Sequence, residues 1–92
     1  MKTNLKITVD HPAGLHARPA ALFVQTANKY SSGITVQNTT KESPVTNAKS
    51  ILSVLTLGVM QGHEIEIIAD GEDSQEAIAA LEDLIKDNFG EN

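Results

Sequence analysis

Apolar residues in this chain switch repeatedly between a spacing of two and a spacing of three to four, and that alternation limits the folds open to it. Leu5, Ile7 and Val9 alternate with Lys6 and Thr8, the pattern of a half-buried strand. From Ala17 to about residue 29 the spacing turns helical, with Leu22, Phe23, Ala27 and Tyr30 on one face, and Ser31-Ser32-Gly33 ends the run. Ile34 and Val36 alternate with Thr35 and Gln37 as a second strand. Residues 38–43 are polar and turn-rich, and Pro44 confines the next strand, around Val45, to an edge or a short piece. A helical period returns over residues 47–57, with Gly58 as its C-cap. Gln61-Gly62 is a turn, and residues 63–69 alternate as a strand. The loop at residues 70–74 carries cap candidates for a last helix, whose stripe is Ala77, Ile78, Leu81, Leu84 and Ile85.

The predicted order is therefore β-α-β-β-α-β-α. A helix with one apolar stripe must bury it against something, so the three helices are expected on one face of a four-stranded antiparallel sheet. At 92 residues the chain is expected to form a single domain, residues 1–92, with room for one modest core. There is no cysteine, which excludes disulfides and thiolate chemistry and fits a reducing cytoplasm. The formal net charge of −5 argues against nucleic-acid binding and favours a soluble monomer. The longest apolar runs, at residues 20–24 and 77–81, are too short to enter or span a bilayer.

Chemistry concentrates in Gly14-Leu15-His16-Ala17-Arg18-Pro19-Ala20. Pro19 suits a first helical turn, which places His16 at or near the N-cap. Free N–H groups and the helix dipole at such a start favour an anion, and Arg18 adds a charge-assisted hydrogen-bond fork. A histidine beside a helix start is most often a mere surface or capping residue, so the motif by itself leaves both readings open. The second segment is Ala48-Lys49-Ser50-Ile51-Leu52-Ser53-Val54-Leu55. Ser50 is placed to cap the following helix. Val54 and Leu57 suit the core, and spacing alone favours the core for Ile51, Leu52 and Leu55 as well. His11 reads as a loop residue and His63 as the start of a strand. Neither forms metal-ligand spacing with His16, so no metal site is expected.

These two motifs, in this order, resemble those of HPr, the phosphocarrier family of the bacterial phosphoenolpyruvate:sugar phosphotransferase system. Leu57-Gly58, Gln61-Gly62 and the strand and acidic loop after them also match. The resemblance implies an α+β fold, an open-faced β-sandwich. It implies that His16 accepts a phosphoryl group on Nδ1 from Enzyme I and passes it to IIA domains of sugar permeases, with Arg18 balancing the phosphoryl charge. Ser50 would be the target of a regulatory serine kinase/phosphorylase, which brings in a transcription regulator as a further partner. Ala17, Ala21, Ile51, Leu52 and Leu55 would form the partner-binding surface. Such a carrier needs no cofactor, and it is not strictly an enzyme. An imidazole P–N bond is labile, whereas a serine ester would be a trap. A regulatory or nitrogen-related paralogue acting through protein–protein binding is the alternative.

The chain also departs from the family pattern. Ala13 stands where Asn or Ser is frequent. The stretch from Ile34 to Ser50 is about three residues longer than usual, consistent with a longer turn near residues 38–44. Gln25, Asn28 and Ser53 replace frequent lysines, which thins the basic rim expected to meet acidic partners.

Overall fold

A computed structural model describes residues 1–91. Strands β1 (Lys2–Thr8), β2 (Gly33–Asn38), β3 (Thr46–Asn47) and β4 (Glu64–Asp70) form one antiparallel sheet in the order β1-β4-β2-β3. Helices α1 (Ala17–Ala27), α2 (Ile51–Leu55) and α3 (Ser74–Lys86) follow β1, β3 and β4. The result is the expected α+β open-faced sandwich.

The two-residue period of the strands sorts side chains between faces. Ile34 and Val36 of β2 and Ile65, Ile67 and Ala69 of β4 are buried, with Leu5 and Ile7 of β1 packed beside them. Register keeps them level, pairing Leu5 with Ile67, Ile7 with Ile65, and Val36 with Ile67. Phe23 and Ala27 of α1, Val54 of α2, and Ala77, Ile78, Leu81 and Ile85 of α3 complete the same core. Each large aliphatic or aromatic side chain so buried contributes about 1.5–3 kcal/mol. The opposite sheet face stays open. It sets Lys6 opposite Glu66 and Lys2 opposite Asp70, and the Asn4 amide donates to Glu66 at 3.1 Å.

Two helices are shorter than their periodicity predicts. α1 ends at Ala27 because the chain tightens there: Lys29 N–H donates to the Thr26 carbonyl and Tyr30 N–H to that of Ala27. α2 begins at Ile51, not at residue 47. Asn47 is still paired with Thr35 in the sheet, Ala48 N–H donates to the Ile34 carbonyl at 3.0 Å, and the Asn47 side chain accepts from Lys49 N–H at 2.9 Å. Sheet pairing and that Asx turn occupy the backbone groups a longer helix would need. β3 is an edge strand, as Pro44 requires. Gly58 adopts φ +60°, two residues beyond the α2 C-cap, Thr56.

Three features were not legible in the pattern. A 3₁₀ turn at Asn88–Gly90 buries Phe89. Asn38 is fully buried; its amide donates to the Leu57 carbonyl at 3.1 Å, and its Oδ1 accepts from Lys41 N–H at 3.2 Å, which organises the long 38–44 turn. Asp73 occupies the N-cap position of α3 without capping it. Its carboxylate instead accepts from the N–H groups of Ser31 and Ser32, at 2.8 and 2.9 Å, and from both serine hydroxyls. These donors, the Ser32 hydroxyl foremost, hold the Asp73 carboxyl at about 2, well below its ordinary 3.8.

Candidate functional site

The His16 loop is built from glycine outward. Gly14 takes φ +61°, and a Cβ there would lie 2.0 Å from the Val59 carbonyl oxygen. Only glycine fits so close an approach. Leu15 N–H then donates to that same carbonyl at 3.0 Å, and the Leu15 side chain is fully buried. The next residue therefore emerges from a fixed point.

His16 is the N-cap of α1, with extended backbone at φ −125° and ψ 164°, and its side chain makes no capping hydrogen bond. The residue is partly exposed. Ala17 has φ +51°, a left-handed conformation that is uncommon for alanine and that spacing does not reveal. Ala20 N–H reaches the His16 carbonyl only at 3.5 Å, and Pro19 has no N–H. The N–H groups of Ala17 and Arg18 precede the intrahelical ladder and have no acceptor within it. Arg18 is exposed and forms no ion pair with any described residue. An imidazole, two main-chain donors and a guanidinium thus meet at one helix start, and a dianion there gains from both dipole and charge. Ala17 is exposed and Ala21 half-buried on the same helix.

α2 lies against α1. Its start is tied to the far end of that helix: the Asn28 amide donates to the Lys49 carbonyl at 3.1 Å, and Lys49 Nζ donates to the Tyr30 carbonyl at 2.6 Å. Its other end leads to Val59, against which Gly14 and Leu15 rest. Ser50 is the α2 N-cap, its hydroxyl accepting from Ser53 N–H at 3.3 Å. Val54 and Leu57 are buried, as expected. Ile51, Leu52 and Leu55 are not core: they are 39%, 74% and 38% exposed, because so short a helix has only one side to bury. Met60, which sequence reasoning passed over, is a further exposed apolar side chain, 55% exposed and set beside Gly14.

The other histidines are engaged elsewhere. His63 Nδ1 accepts from Met60 N–H at 3.1 Å and faces the Asn38 amide at 3.2 Å. His11 is buried, its Nε2 3.1 and 3.2 Å from the two Glu91 carboxylate oxygens. Among the described residues no cluster of three or more His, Cys, Asp or Glu could hold a metal, and no helix is long and apolar enough to cross a membrane.

Comparison with known proteins gives this geometry its context. A family model described as the PTS HPr component phosphorylation site matches residues 3–87, and the chain belongs to that family. It is 46% identical over 85 residues to the multiphosphoryl transfer protein of Haemophilus influenzae, an alignment covering 92% of this chain but only 17% of that protein. It is also 46% identical over 76 residues to the HPr-like protein Crh of Bacillus subtilis, covering 83% of this chain and 86% of Crh. The crystal structure of HPr-C-His from Thermoanaerobacter tengcongensis superposes with a TM-score of 0.92 at 50% identity, covering 98% of both chains.

Proposed function

We propose that this HPr-family chain carries a phosphoryl group on His16, taking it from Enzyme I and delivering it to IIA domains of sugar permeases. The observation that carries the reading is the unengaged His16 ring at a helix start that also presents two main-chain donors and the free Arg18 guanidinium. In the accepting step, the Nδ1 lone pair attacks phosphorus. A P–N bond forms as the bond to the donor breaks, and its electron pair leaves with the donor. The Ala17 and Arg18 N–H groups and the guanidinium take up the phosphoryl oxygens. Delivery is the reverse, with a nucleophile of the IIA domain attacking phosphorus and the imidazole leaving. The shallow setting suits a carrier, since tight enclosure would stabilise the phosphorylated state and oppose release. Ala17, Ala21, Ile51, Leu52 and Leu55 offer the docking surface, and this exchange is placed in the cytoplasm.

Ser50 is the proposed site of a regulatory kinase. Phosphate there adds about −1.5 to −2 charge at a helix start, where it is tolerated. Its effect then falls on partners and not on folding. The likeness to Crh supports a second reading, in which the chain acts chiefly through binding, a transcription regulator included. A purely regulatory chain has no need of His16, which favours the first reading. The deciding experiment incubates the protein with Enzyme I, magnesium and phosphoenolpyruvate. An acid-labile phosphate should appear on wild type, map to His16 by mass spectrometry, and be absent from a folded His16→Ala variant. Undiminished labelling of His16→Ala would refute the assignment.

A further inference from the structure

We propose that His11 is a positioning residue for phosphoryl transfer: its ring, clamped by Glu91, fixes the turn that delivers His16. The inference rests on His16 being the phosphoryl acceptor. Two bonds define the turn. Gly14 N–H donates to the His11 carbonyl at 2.8 Å, and Ala13 N–H donates to His11 Nδ1 at 3.0 Å. The second bond is a side-chain acceptor serving the N–H two residues on, the role an Asn or Asp side chain plays in an Asx turn. Here an imidazole supplies it, two residues ahead of Ala13.

The ring is not free to leave that role. His11 is only 8% exposed. Its Nε2 faces both carboxylate oxygens of Glu91, at 3.1 and 3.2 Å, and its edge meets the Phe89 ring at 5.8 Å between centroids and 83° between planes. Since Nδ1 accepts from Ala13, the neutral ring must carry its proton on Nε2, where it donates to Glu91. The carboxylate therefore selects the tautomer that lets Nδ1 accept. Gly14 leaves the turn already fixed against Val59, and two residues further on is the acceptor ring. The 3₁₀ turn that buries Phe89 thus joins the opposite end of the chain to the reacting loop.

The test has two parts. In wild-type protein at mildly alkaline pH, two-dimensional ¹H–¹⁵N spectra of the imidazoles should show His11 with a bare Nδ1 and a protonated Nε2; a proton on Nδ1 overturns the proposal. Single-turnover transfer from phosphorylated Enzyme I is then measured against Enzyme I concentration. His11→Phe, which keeps the aromatic packing and loses both nitrogens, should lower the maximal rate about tenfold, as expected for a displaced acceptor, at an unchanged half-saturating concentration. His11→Asn restores the Asx acceptor without the Glu91 contact and should recover to within about threefold of wild type. A purely structural role would not give that rescue or that split. His11→Phe transferring at the wild-type maximal rate, His11→Asn no faster than His11→Phe, or a loss confined to half-saturation would each refute it. Labelling of His16→Ala would instead overturn the acceptor assignment beneath it, so the two failures are distinguishable. Should His11→Phe fail to fold, the tautomer and His11→Asn still decide.

Discussion

Replacing Gly14 with alanine tests whether the His16 loop is set by contact with the Val59 main chain. The added Cβ would stand 2.0 Å from the Val59 oxygen and 2.9 Å from Met60 Cα. Both obstacles are backbone atoms, so no side-chain rotation relieves them. Holding alanine at φ +61° costs about 1 kcal/mol before any clash. Withdrawing from Val59 breaks the Leu15 N–H bond, about 1 kcal/mol more. It also lifts the fully buried Leu15 side chain from its place, forfeiting part of the roughly 1.5–3 kcal/mol that its burial contributes. Together these come to about 3 kcal/mol, which in a chain of this size lowers Tm by roughly 12–24 °C. Calorimetry on Gly14→Ala measures this directly, and single-turnover labelling of the same variant below its Tm should be slowed, because the His16 loop has moved. A Tm within about 4 °C of wild type would mean the loop is not clamped on Val59, and the account of how His16 is placed would fall.

The remaining expectations concern a cap that does not cap and a leucine that does not pack. The Asp73 carboxyl is held at about 2 in the folded protein by the Ser32 hydroxyl and then the Ser31 N–H, against an ordinary 3.8. Its contribution is fully present above pH ~4 and is lost as pH falls toward ~2, because the unfolded chain binds the proton first. The urea midpoints of wild type and Asp73→Asn should therefore converge across that window; parallel curves would contradict the clamp. Leu52 is 74% exposed, so Leu52→Glu should alter stability by no more than about 0.5 kcal/mol while raising the Enzyme I concentration needed for half-maximal transfer. A large drop in Tm would make Leu52 a packing residue, and unchanged transfer would remove it from the docking surface.

What the sequence disclosed, and what it hid, follows from the range of the forces involved. Strand alternation at 5–9, 34–37 and 63–69 and the α3 stripe report burial of one face, a property each segment carries alone. So does Pro44, which by chemistry excludes a central strand. α1 stops through local bonds from Lys29 and Tyr30 back to Thr26 and Ala27 that periodicity does not report. The start of α2 escapes the pattern because it is settled by partners far along the chain: Ile34 and Thr35 compete for residues 47 and 48, and Lys49 is held by Tyr30 and Asn28. Asp73 looked like a helix cap for the same reason, since its real donors lie 41 and 42 residues earlier. In the site, a helix start at His16 was readable from Pro19. The left-handed Ala17 was not, for alanine gives no signal of φ +51°. His11 looked like an idle loop residue because its partners are a backbone N–H two residues away and a carboxylate 80 residues away.

The layout of α1 also explains why chemistry and regulation need not interfere on the proposed assignment. His16 caps one end of this 11-residue helix, and Lys49, the neighbour of Ser50, is tied to the other, about 16 Å away along the axis. Between exposed charges that span is roughly two Debye lengths at physiological ionic strength. A phosphate on Ser50 would therefore do little directly to charge developing at His16. It stands, however, at the first residue of the exposed strip of Ile51, Leu52 and Leu55, which runs back toward Met60 and the His16 loop. A partner broad enough to reach His16 across that strip must bring its own surface to Ser50, and there a new dianion must be paired or repelled. On the proposed assignment, reactivity and choice of partner would thus be set at opposite ends of one helix. Gln25, Asn28 and Ser53 bear no charge, and the ammonium of Lys49 beside Ser50 is drawn to the Tyr30 carbonyl, so docking is the step most exposed to such repulsion.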